Sequence, residues 1–116
     1  MVEITMQLPD KLAQKIRPMS PWLPAVLELS MVGFKTPAAQ TAAEIIQFLS
    51  AGPSPAEVVN HHVSDRAQER VRRLLALNAG GASSEEEQAE LDEVEQIEHV
   101  MILLKARAQE EIIEAN

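Results

Sequence analysis

One segment near the start of the chain, Val2-Glu3-Ile4-Thr5-Met6-Gln7-Leu8, alternates apolar and polar residues over its whole length. That period of two predicts a half-buried β-strand. No second segment alternates in this way; the remaining apolar residues recur at helical spacings. A strand exposes a row of backbone N–H and C=O groups that need partners, and a lone strand in a helical chain cannot supply them to itself. It must pair with a copy of itself, pair with the sheet edge of another protein, or fray. The expected fold is therefore mainly α: one short N-terminal β-strand followed by five or six helices, ending in a long acidic helix. The expected assembly is a homo-oligomer, a dimer in the first instance.

The helices follow from punctuation and periodicity. Pro9-Asp10 opens a short helix with Leu12, Ala13 and Ile16 on one side, and Arg17-Pro18 closes it, because proline lacks a donor and disfavours helix in the residue before it. Ser20-Pro21 predicts a new start, and Leu23, Val26, Leu27, Leu29 and Val32 predict a broad apolar face ending at Gly33. Thr36-Pro37 opens the next helix, with Ala42, Ile45, Ile46 and Leu49, before a stop at Gly52-Pro53. Ser54-Pro55 starts a short helix to about His62. Ser64 or Asp65 caps another that carries Ala67, Val71, Leu74 and Leu75, and Gly80-Gly81 breaks the chain. Ser83 with Glu86 and Ser84 with Glu87 both fit a capping box for the last helix. There Leu91, Val94, Ile97, Met101, Leu104, Ala108 and Ile112 form a stripe about six turns long. This divides the chain into a strand-helix-helix dimerisation segment (1–35), a helical middle (36–82) and a long amphipathic arm (83–116), together about one domain.

Charge separates the parts. Residues 1–82 hold eight basic and seven acidic side chains, whereas 83–116 hold two basic and eleven acidic, so the net charge of −8 lies in the last third. Such an arm suits a basic protein surface and repels nucleic acid. Hydrophobic residues make up 46%, which excludes wholesale disorder. Aromatics are scarce (Trp22, Phe34 and Phe48), so the core is aliphatic. The absence of cysteine excludes disulfides and thiol chemistry. No signal peptide or membrane-spanning run is evident, and a cytoplasmic location is expected.

Ile4-Thr5-Met6-Gln7-Leu8-Pro9-Asp10-Lys11-Leu12 resembles the strand and Leu-Pro helix start of the ribbon-helix-helix family of small bacterial transcription factors and antitoxins. The resemblance covers about the first 34 residues. It implies two strands paired antiparallel across a dimer and laid in the DNA major groove. Glu3, Thr5 and Gln7 match the outward positions, with Thr5 and Gln7 directed at base edges. Glu3 has the wrong sign for phosphate, and no phosphate-binding turn matches before the second helix. The second half resembles a set of small bacterial antitoxin-like proteins. The residues concerned are Glu69-Arg70-Val71-Arg72-Arg73-Leu74-Leu75-Ala76-Leu77-Asn78, Leu91-Asp92-Glu93, Ile97-Glu98-His99-Val100 and Leu104-Lys105-Ala106-Arg107-Ala108. That resemblance implies a binding role without catalysis; together with the lone strand, the charge asymmetry and the first resemblance, it leads to the expectation of a non-enzymatic module that occludes a basic toxin protein.

Partner contact is expected through Glu90, Glu93, Val94, Ile97, Met101 and Leu104 on the last helix. The competing intrachain reading folds the last two helices into a hairpin, placing Arg73 near Glu90, Arg70 near Glu93 and Arg66 near Ile97. A further alternative is a self-associating structural or adaptor protein whose acid only confers solubility. His61-His62, or His99 with Glu95, falls short of the three or four converging ligands a metal needs, so no metal or cofactor is expected. Ser50, Ser54, Ser64, Ser83 and Ser84 read as loop or cap residues, and no glycine-rich phosphate loop is present.

Overall fold

The computed structural model describes residues 1–32 and 35–115. The expected helix stop at Gly33 and the aromatic Phe34 lie outside the described residues. Among them the elements run α1 (Asp10–Ile16), a 3-10 helix (Arg17–Trp22), α2 (Leu23–Ser30), α3 (Ala38–Ser50), α4 (Pro55–Val59), α5 (Asp65–Ala79) and α6 (Glu85–Ala115).

The N-terminal strand is not formed. Residues 1–9 carry no regular structure, and the apolar members of the alternating pattern stand in solvent: Val2 is 88% exposed, Ile4 80% and Met6 63%. Alternation gives a segment one apolar face, but a strand also needs a neighbour for its backbone, and the described chain holds no other strand to provide it. The ribbon implied for DNA contact is therefore absent. Glu3, Thr5 and Gln7 are exposed positions on a tail without regular structure.

Ser20-Pro21 does not start a helix. Pro21 sits inside the 3-10 helix, and α2 begins at Leu23 with Pro24 in its first turn. At α4, α5 and α6 the serine caps behave as their residue type dictates. Ser54 accepts from the Glu57 N–H at 3.2 Å while Glu57 accepts from the Ser54 N–H at 3.1 Å, a complete capping box on α4. Of the two boxes possible on α6, Ser84–Glu87 forms, at 2.9 and 3.1 Å. Ser64 caps α5 through the Ala67 N–H.

The long helix α6 is the spine of the fold. Leu91, Ile97, Val100, Leu104 and Ala108 are buried along it, with Val94, Met101 and Ile112 half-buried. Helices α2, α3, α4 and α5 all pack on this face. The main core joins Ile97, Val100, Leu104 and Ala108 to Trp22, Leu29, Val32, Ala38, Ala42, Ile45, Leu49 and Val58. The 31 residues of α6 would span about 46 Å, which matches the 48 Å long axis of the molecule.

Two joints fix the N-terminal half on this spine. The buried Trp22 indole donates to the Pro53 carbonyl at 2.9 Å, tying the 3-10 helix to the α3–α4 connection. Beside it Gly52 adopts φ 71°, and a Cβ there would lie 2.6 Å from the Pro18 carbonyl oxygen, so both conformation and space require glycine. The α5–α6 reversal is a Schellman turn: Ala82 N–H donates to Leu77 O, Gly81 N–H to Asn78 O, and Gly81 takes φ 68°.

Candidate interaction surfaces and a cationic cleft

The Schellman turn sets the register of the α5–α6 hairpin. It reverses the chain at once, so Arg70 meets Glu90 and not Glu93, three residues nearer the turn than helix spacing alone suggests. The contact is bidentate: Arg70 Nε and Nη2 each donate to a Glu90 carboxylate oxygen at 2.8 Å. The Glu90 side chain is 3% exposed and that of Arg70 39%. Donating these hydrogen bonds to Glu90 raises the proton affinity of the Arg70 guanidinium. Glu93 accepts from the Thr36 hydroxyl, which in turn accepts from the Ala38 N–H at 3.2 Å, so a carboxylate of α6 closes the start of α3.

These contacts locate the residues expected to meet a partner. Glu90 is held in the ion pair, Ile97 and Leu104 lie in the core, and Glu93, Val94 and Met101 are half-buried. They face inward, and the opposite flank of α6 is the one left to solvent. There Asp92, Glu95, Gln96 and His99 border a groove of about 730 Å³ against Glu28 of α2 and Met31 just after it, with Val32 and Val100 at its base. Met31 is 85% exposed. Further along, Ile102 and Leu103 are exposed on α6, as is Leu27 on α2. Glu28 and Met31 were not singled out from sequence as contact residues. The available signal was Glu28 itself, an acid interrupting the apolar run of α2.

A second concavity, of about 430 Å³, lies between α3, the α4–α5 connection, α5 and α6. His61 and His62 do not combine as ligands: the His61 ring stacks on Phe48 with centroids 3.9 Å apart, while His62 is exposed. The His61 carbonyl accepts from Lys105 Nζ at 2.8 Å, and the buried His61 Nε2 has no hydrogen-bond partner among the described residues. Burial, and secondarily the Lys105 charge, push the His61 imidazole below its usual pKa of 6.5, against the opposing pull of Glu44. Glu44 accepts from the Ser64 N–H at 2.6 Å and hydroxyl at 3.1 Å, anchoring the start of α5. No group of three or more His, Asp or Glu side chains converges on a metal position among the described residues. No helix among them is long and apolar enough to cross a membrane.

No protein-family model matches the chain, nor does any curated protein or solved structure.

Proposed function

We propose that this chain is a non-enzymatic interaction module that covers a basic protein partner, in the manner of an antitoxin, through the groove between α2 and α6. The observation carrying this reading is the sign and placement of charge. The last third of the chain holds the net acidity. Once core packing has claimed the other face of α6, Asp92 and Glu95 stand outward beside Glu28, around exposed apolar Met31. An apolar base rimmed by one sign of charge is the pattern of a steered protein interface.

The test reverses the rim. The triple variant Glu28→Lys, Asp92→Lys, Glu95→Lys changes exposed side chains and is expected to keep the wild-type helical circular dichroism. Tagged wild-type chain, applied to native-host extract at low salt, should retain a basic protein in stoichiometric amount. The variant should lose it. Equal retention by both would remove the groove from the reading.

A second reading, self-association, is favoured by one observation: the exposed Val2, Ile4 and Met6. It predicts a concentration-dependent dimer by light scattering that becomes monomeric when residues 2–7 are removed.

A further inference from the structure

We propose that the cleft between α3, the α4–α5 connection, α5 and α6 is a binding site for a small anionic amphiphile, an apolar chain of several carbons ending in a carboxylate. The size fits: about 430 Å³ falls within the range of small-molecule sites. The lining fits as well. Ile45, Val71, Val94, Ile97 and Met101 offer an apolar surface continuous with the core, which suits an alkyl chain and not a sugar or nucleotide.

The head-group preference comes from the rim. The whole chain carries −8, yet this cleft is edged by Arg72, Lys105 and His62 against a single carboxylate, Glu98. Lys105 spends one of its three N–H donors on the His61 carbonyl and keeps two. Arg72 is exposed and has its full donor fork available at the mouth. His61 also lines the cleft, and its Nε2 is the one buried side-chain polar atom without a partner among the described residues. A buried nitrogen of that kind is costly unless something fills its hydrogen bond; a polar head group, or a water carried with it, does so. The site shares no carboxylate with the α2–α6 groove, so it stands or falls independently of the protein-binding reading.

The experiment is an NMR titration of the full chain with octanoate, decanoate and decanol, each below its aggregation limit, following backbone amides. Saturable shifts should centre on Thr41, Val63, Val71, Val94 and Met101. Decanoate should bind roughly tenfold more tightly than octanoate, as two further buried methylenes require. Decanol should bind more weakly than decanoate. Arg72→Gln, a surface change, should weaken decanoate roughly three- to fivefold and leave decanol unaffected. The proposal is overturned if no saturable shifts occur, if they centre on the exposed Ile102, Leu103 and Met31, or if decanol binds as well as decanoate. It also fails if dilution of the ligand-free chain, or removal of residues 2–7, moves the same cleft resonances. In that case the occupant is the apolar tail of a second copy.

Discussion

At the scale of single residues, the Arg70–Glu90 pair and His61 carry the consequences most open to measurement. Removing one partner of a buried ion pair is costly because the other is left charged and unsolvated, whereas replacing both by apolar side chains is far milder. Glu90 is buried but Arg70 retains solvent, which lowers the effect. Arg70→Met is therefore expected to cost about 2 kcal/mol in urea unfolding, and Arg70→Met with Glu90→Leu less than Arg70→Met alone. A double variant that costs the sum of both singles would show that the pair is not coupled. His61 gives a pH dependence of definite sign. Its folded-state pKa lies below the ordinary 6.5, so the unfolded chain takes up the proton first. This contribution to stability is intact above 6.5, is lost as pH falls below that value, and stops changing below the lowered folded pKa. Thermal melts from pH 7.5 to 5.5 should show it, and His61→Gln should flatten that part of the profile. Glu87 acts in a separate, more acidic window. Its hydrogen bonds with Ser84 hold its pKa below the usual 4.5, so its contribution disappears only as pH falls below that value.

At the scale of elements, caps and turns decided more than propensity did. Four glutamates fall within the first six residues of α6, and either of two serines could have begun it; the backbone selected Ser84. Ser84→Ala is expected to cost about 1 kcal/mol by removing the side-chain half of the box, while Ser83→Ala should change stability by less than about 0.5 kcal/mol. Equal losses in chemical denaturation would mean that the two serines share the cap. The helix pattern was legible because 3.6-residue periodicity and the Ser-Pro, Thr-Pro and Gly-Pro punctuation act within a single segment. The strand was legible only as an alternation. Its formation depends on a partner strand that the described chain does not contain, and the same residues are left as an exposed tail.

For the whole molecule, α6 is central, and function must be read from what packing leaves outside. Its inward stripe is occupied by four other helices, so a truncation at residue 83 removes the spine and cannot isolate a binding arm. Residues 2–7 lie outside the core, and their deletion should leave the thermal midpoint of the monomer unchanged within measurement error. A marked fall in the midpoint would show that the tail is packed. Composition, charge asymmetry, the aliphatic helical core and most helix boundaries were set by the sequence alone, because each depends on residues close together in the chain or on their totals. Tertiary structure alone decided the burial of the residues expected to face a partner and the assembly of Glu28, Asp92 and Glu95 around one groove. It likewise brought Arg72 and Lys105 to one cleft. These depend on how separate helices rotate about their axes when they pack, and that rotation is fixed by side chains distant in sequence meeting in one core.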